Sequence, residues 1–149
     1  MKSREKTLLL IEDSRQDELL TLRALEKNRI QSRVMVVRDG QEAIDYLFRR
    51  DRYSDPALSP EPQVVLLDLK LPKVDGLEVL KQVRAHESTR HIPIVVLTTS
   101  SEISDISRAQ ELGANSFVRK PVNFDEFSHM IKELGESWLG PIVSREVTP

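Results

Sequence analysis

The stretch VVLLDLKLPKVDG, residues 64–76, decides how the chain is to be read. Val64 to Leu67 are four apolar, strand-favouring residues, and a carboxylate, Asp68, closes the run. A charge at the tip of such a strand is either solvated or put to chemical use, and the ends of the other strands say which. Apolar runs of strand length recur at TLLLI (7–11), RVMVV (33–37), IPIVVL (92–97) and SFV (116–118). They are continuous rather than alternating, as strands buried on both faces should be.

Between the runs lie SRQDELLTLRALEKN, GQEAIDYLFRR, DGLEVLKQVRAHES and EISDISRAQELGA, and after the last comes NFDEFSHMIKELGES. In the first segment Leu19, Leu22, Ala24 and Leu25 follow helical spacing; in the third Leu77, Leu80, Val83 and Arg84 do so less strictly. Ser14 with Asp17 three residues on, and Asn123 with Glu126, resemble capping boxes. Gly113 reads as a C-terminal stop. Segment 50–63, RDRYSDPALSPEPQ, is too rich in Pro, Ser and Asp for helix or strand and reads as a long loop into the third strand. Five strands alternating with five helices predict a parallel sheet covered by helices on both faces, because each right-handed crossover lays its helix on the sheet.

At 149 residues the chain suits one domain with a sizeable core. Its 22 Lys and Arg nearly balance 24 Asp and Glu, a formal net charge of −2, so no basic excess points to nucleic acid or an anionic membrane. The absence of cysteine excludes disulfides, thiolate metal sites and thiol nucleophiles, and His86, His91 and His129 show no zinc-type pairing. No stretch approaches the roughly 18 apolar residues of a membrane span, and a cytoplasmic location is expected.

Ligands of an open parallel sheet collect outside the carboxyl ends of its strands. There the first strand ends in Glu12 and Asp13, the third in Asp68, the fourth in Thr98 and the fifth in Lys120. Three carboxylates at close quarters repel unless a cation or protons compensate. Mg²⁺, which favours carboxylate, carbonyl and water oxygens, fits that need. With Lys120 beside it, the ion could neutralise a transferring phosphoryl group while an Asp carboxylate acts as nucleophile. Asp68 is therefore read as the phosphoryl acceptor. Asp75, before Gly76, is left as a cap or solvated end, the usual role of a lone Asp in a loop.

In these features the chain resembles the receiver domains of two-component response regulators. IEDS matches their acidic pair, VLLDLKLPKVDG their phosphoacceptor strand and loop, PIVVLTTS their switch hydroxyl, and GANSFVRKP their switch aromatic and lysine, from about Thr7 to Leu134. The resemblance implies a flavodoxin-like (βα)5 doubly wound sheet of strand order 2-1-3-4-5. It also implies phosphorylation of Asp68 by a histidine kinase or phosphotransfer protein. Mg²⁺ would lie among Glu12 (directly or through water), Asp13, Asp68 and the carbonyl of Lys70. Thr98 and Lys120 would hold phosphoryl oxygens, Phe117 would move with Thr98, and the Lys120–Pro121 peptide would be cis. Lys70 and Ser100 occupy positions that tune access of hydrolytic water.

Within the family, loop 50–63 and the run LTTSSEISDI resemble single-domain regulators that partner bacterial and cyanobacterial phytochromes. A core of 7–134 and a tail of 135–149 are expected, with output through protein contacts because the remaining GPIVSREVTP is too short for an output domain. The tail's Trp138, Leu139, Ile142 and Val143 suggest either packing on the parent domain or a homodimer through the face of the fourth helix, fifth strand and fifth helix. Two other functions compete. A Mg²⁺-dependent aspartyl phosphatase would use the same nucleophile, but Lys70 stands where a second Asp should serve as acid and base. A receiver-shaped scaffold that is never phosphorylated would have no need of all five site residues.

Overall fold

The computed structural model describes residues 6–98, 103–119 and 123–139. The five apolar runs form β1 (Thr7–Ile11), β2 (Arg33–Val37), β3 (Val64–Leu67), β4 (Ile94–Thr98) and β5 (Ser116–Arg119). They pair in parallel in the order β2-β1-β3-β4-β5. Helices α1 (Arg15–Lys27), α2 (Gly40–Leu47), α3 (Gly76–Ala85), α4 (Ile103–Glu111) and α5 (Phe124–Leu134) connect and follow them. This is the flavodoxin-like doubly wound architecture.

Side-chain alternation along the strands divides the core in two. Leu9, Ile11, Val65, Leu67 and Val96 face α2, α3 and α4, packing on Ile44, Leu80 and Ala109. Leu8, Leu10, Leu66, Val95 and Leu97 face the other way, onto Ala24 and Leu25 of α1 and Phe127 and Ile131 of α5. β1 and β3 are buried throughout. β2, as apolar in sequence, is only partly covered because it is an edge strand. On α1 the expected apolar face is shifted: Leu19 is 49% exposed, while Glu18 and Thr21 are buried beside Ala24 and Leu25. The reason is pairing, since Arg38 holds the Glu18 carboxylate through its two terminal guanidinium nitrogens, Nη1 and Nη2.

Caps fall where expected. Ser14 Oγ accepts from Asp17 N at 3.2 Å, Asn123 Oδ1 from Glu126 N at 3.1 Å, and Asp75 Oδ1 from Glu78 N at 3.0 Å. Three helices end in the same six-residue motif. After α4, Ala114 N donates to Ala109 O and Gly113 N to Gln110 O, with Gly113 at φ +103°. After α1 and α2 the same pairs of bonds form, Ile30 to Leu25 with Arg29 to Glu26, and Arg50 to Asp45 with Arg49 to Tyr46. In those two the left-handed position is held by Arg29 (φ 55°) and Arg49 (φ 56°) in place of glycine. A side chain there costs about 1 kcal/mol.

Segment 50–63 is more ordered than its composition suggests. It contains two 3-10 turns, Asp51–Tyr53 and Pro56–Leu58, and closes on a tyrosine pair. The Tyr53 ring lies 5.0 Å from that of Tyr46, and its hydroxyl donates to Glu42 Oε2 at 2.7 Å. Tyr46 donates to Pro60 O at 2.8 Å and Ser59 to Tyr53 O at 2.9 Å. Burial pushes both phenols up to about 12, with Glu42 adding to the effect at Tyr53. The packing comes from two aromatic residues that a count of turn-forming residues undervalues.

The first turn of the expected tail belongs to the fold. Gly135–Leu139 continues α5 as a π-helical turn, Leu139 is 2% exposed, and half-buried Trp138 packs against the α1/α5 core. Ile142 and Val143 lie outside the described residues.

Candidate functional site

β1 and β3 are neighbours, so their carboxyl ends deliver Glu12, Asp13 and Asp68 to one place. Glu12 N extends the β1–β2 pairing to Val37 O (3.0 Å), and Asp68 N donates to Ile11 O (3.1 Å). Glu12 and Asp68 are buried and Asp13 is exposed, yet each offers an oxygen within 4.8 Å of the others. Glu12 Oε2 also accepts from Ser14 N at 3.1 Å, and Asp68 Oδ1 from Lys70 N at 3.2 Å. Three hard oxygen donors with one open side form a set that suits Mg²⁺.

The loop after β3 is held from two sides by glycines. Gly76 N donates to Leu69 O at 2.9 Å, and a Cβ on Gly76 would stand 2.5 Å from Asp68 O. Gly40, opening α2, donates to Pro72 O at 3.2 Å, and a Cβ there would stand 1.6 Å from Val74 O. Lys73, at φ +70°, places Nζ 3.7 Å from Asp39 Oδ2. Asp39 in turn caps α2 by accepting from Glu42 N at 2.7 Å. The backbone that carries Asp68 and Lys70 is thus clamped by close approach, which only residues without Cβ permit.

A cleft of about 400 Å³ opens at this edge, lined by Asp13, Lys70, Pro72, Asp75, Leu77 and Asp105 among others. Asp75 lines it while capping α3, the bland role expected of it. Asp105 gives no sign of itself in the sequence; it reaches the rim because α4 starts there. Thr98 ends β4 at the same edge, paired in register with Arg119. The Thr98 side chain, Ser100, Lys120 and the Lys120–Pro121 peptide lie outside the described residues. Phe117, opposite Val96 on β5, is 37% exposed.

A parallel 2-1-3-4-5 sheet with an acidic cluster at the ends of β1 and β3 defines a receiver-type signalling module. The response regulator receiver domain model matches residues 8–132, and the chain belongs to that family. Among relatives, the probable methanogenesis regulatory protein FilR2 of Methanothrix harundinacea (strain 6Ac) is 42% identical over 133 residues, covering 89% of this chain and 83% of FilR2. The bacteriophytochrome response regulator AtBRR is 50% identical, with TM-score 0.74 over 89% of this chain and 94% of AtBRR. The phosphorylated cyanobacterial phytochrome response regulator RcpA is 35% identical, with TM-score 0.84 over 91% of this chain and 95% of RcpA. This receiver is accordingly related to phytochrome response regulators.

Proposed function

We propose that the chain is a phosphorylation-controlled switch whose Asp68 accepts a phosphoryl group from a histidine kinase. The observation that carries this reading is the buried Asp68 at the end of β3, with oxygens of Glu12 and Asp13 within 4.8 Å, beside an open cleft. A carboxylate oxygen of Asp68 attacks phosphorus, an O–P bond forms, and the N–P bond of the kinase phosphohistidine breaks. The product is an aspartyl phosphate, and the kinase imidazole keeps the electron pair. Glu12, Asp13, Asp68 and the Lys70 carbonyl would hold Mg²⁺, which supplies charge neutralisation for the phosphoryl oxygens. Lys70 N–H fixes one Asp68 oxygen. Thr98 and Lys120 keep the phosphoryl-binding roles expected from the sequence, and Phe117 that of a switch residue.

The reading makes the protein a phosphoacceptor rather than an enzyme with turnover, located in the cytoplasm, with 7–134 as receiver core and 135–149 as tail. The likeness to AtBRR and RcpA supports a phytochrome-type kinase as donor. Homodimerisation through α4, β5 and α5 is retained on the strength of exposed Phe117 on edge strand β5, since Trp138 and Leu139 are engaged by the parent domain. Incubation with a small phosphodonor and Mg²⁺ tests the reading. Stoichiometric labelling of the wild type with none of Asp68→Asn is expected. Catalytic turnover would make the chain a phosphatase, and absence of labelling a scaffold. A transfer screen against phytochrome-type and other histidine kinases then assigns the donor.

A further inference from the structure

The opposite end of the sheet, at the amino-terminal ends of the strands, is built around exposed cations. Arg29 and Arg49 occupy the two left-handed positions at which α4 uses Gly113. Between them Arg33 opens edge strand β2, its N–H donating to Lys6 O at 2.8 Å. The Arg49 guanidinium donates to Ser59 O at 3.3 Å, and Arg33 and Arg49 both act electrostatically on the Tyr46 hydroxyl. Arg50 and Arg52 lie over the rings of Phe48 and Tyr53, at 5.2 and 4.9 Å. All five arginines are exposed, and among the described residues none of them forms an ion pair. Beside them is a cleft of about 200 Å³ lined by Tyr46, Phe48, Arg49, Pro60, Pro62 and Ile92 with neighbouring residues. Rings and prolines on its walls, and a volume near that of one large side chain, suit a single apolar anchor.

We propose that this end of the domain docks a short acidic protein segment, whose carboxylates meet Arg29, Arg33, Arg49 and Arg50 and whose apolar anchor enters the Tyr46–Ile92 cleft. Strained backbone concentrates where a site needs it. Here two strained positions carry a guanidinium instead of glycine, both at the amino end of the sheet, and Arg49 lines the cleft itself. Charge complementarity selects the partner. Asp45, Asp51 and Asp55 interrupt the patch, Glu61 lines the cleft with its carboxylate 2.7 Å from His91 Nε2, and the chain carries a net charge of −2, so the positive field is short and fits a few carboxylates better than a nucleic-acid backbone. The surface lies before β3 and β4, whereas Asp68 lies after β3, so docking here is independent of phosphorylation.

The test uses the full chain and fluorescein-labelled 12-residue peptides of Asp and Glu with one central Leu or Phe, read by fluorescence anisotropy. The acidic peptide should bind and its Gln/Asn counterpart should not. Arg33→Gln with Arg50→Gln should weaken binding at least tenfold, while Arg23→Gln on the far face of α1, Asp68→Asn and Asp68 phosphorylation should leave it within twofold. Arg29→Gly and Arg49→Gly should each weaken binding and raise the melting temperature together, opposite signs that a purely structural arginine would not produce. No binding by any acidic peptide, equal binding by the Arg33/Arg50 variant, or a lowered melting temperature for both glycine variants overturns the proposal. Tighter binding of single-stranded oligo(dT) through the same arginines would overturn it in favour of nucleic acid.

Discussion

The two ends of the parallel sheet are stabilised by different means. At the carboxyl end, Glu12 and Asp68 are buried and the loop beyond Asp68 is clamped by Gly40 and Gly76, where backbone meets backbone with no room for a Cβ. At the amino end the clamps are long side chains. Arg84 donates to Gly113 O, Arg90 O, Ile92 O and Asn115 Oδ1 at 2.8–3.0 Å, and Tyr46 and Tyr53 pin the 50–63 segment. Backbone clamps hold the loop that carries a carboxylate and leave no space for a Cβ. Side-chain clamps are more forgiving and leave a surface free to carry charge.

The largest expected effect lies at the carboxyl end. Asp13→Ala removes an oxygen donor from the cluster, and Mg²⁺ affinity by calorimetry should fall by at least the ~10–100-fold that follows loss of a supporting group around a metal. Unchanged affinity would remove Asp13 from the site. Gly40→Ala tests the backbone clamp without touching a carboxylate. Alanine is the better helix former by about 1 kcal/mol, yet its Cβ would overlap Val74 O, so a net loss of about 2–3 kcal/mol is expected in urea unfolding. A stabilised Gly40→Ala would show that the loop yields freely.

Arg84→Met tests the other end. It keeps the aliphatic packing but strands carbonyls that the guanidinium now satisfies, and a loss of about 2 kcal/mol is expected. Burial lowers the Arg84 pKa, in keeping with acceptors that are neutral rather than carboxylate. A loss much below 1 kcal/mol would mean that water replaces the guanidinium at those carbonyls. The smallest effect is alkaline. Phenols raised to about 12 in the folded state contribute stability that is fully present below the unfolded value near 10 and is lost as pH rises towards 12. Tyr53→Phe, lacking the ionisable group and the bond to Glu42, should cost about 1 kcal/mol at neutral pH and flatten that alkaline decline. An undiminished slope would assign the decline to Tyr46 alone.

Strand positions were legible because apolar runs of three to six residues, too short for helices and alternating with longer amphipathic segments, fit the strands of a buried sheet, and the helix caps because Ser14, Asp75 and Asn123 each stand three residues before an N–H they can reach. The acidic cluster was legible for the same reason of order: residues that follow buried strands must gather at one edge. Other features depend on neighbours distant in sequence. Leu19 is exposed because Arg38 draws Glu18 inward, and loop 50–63 is ordered because Tyr53 finds Tyr46. Trp138 turns back because α5 continues past Leu134, with Ile30 packed close against Gly135, where a Cβ would stand 2.5 Å from Ile30 Cδ1.

By itself the sequence determined a five-stranded parallel α/β receiver with Glu12, Asp13 and Asp68 at one edge, since hydrophobic periodicity and chain order are local properties that survive any detail of packing. Only the tertiary structure decided which of those carboxylates are buried, which glycines hold their loop, and that Asp105 borders the cleft. It alone gathers Arg29, Arg33 and Arg49 around one end of the sheet. Those outcomes rest on distances between segments remote in the chain, and such distances exist only once the sheet has closed.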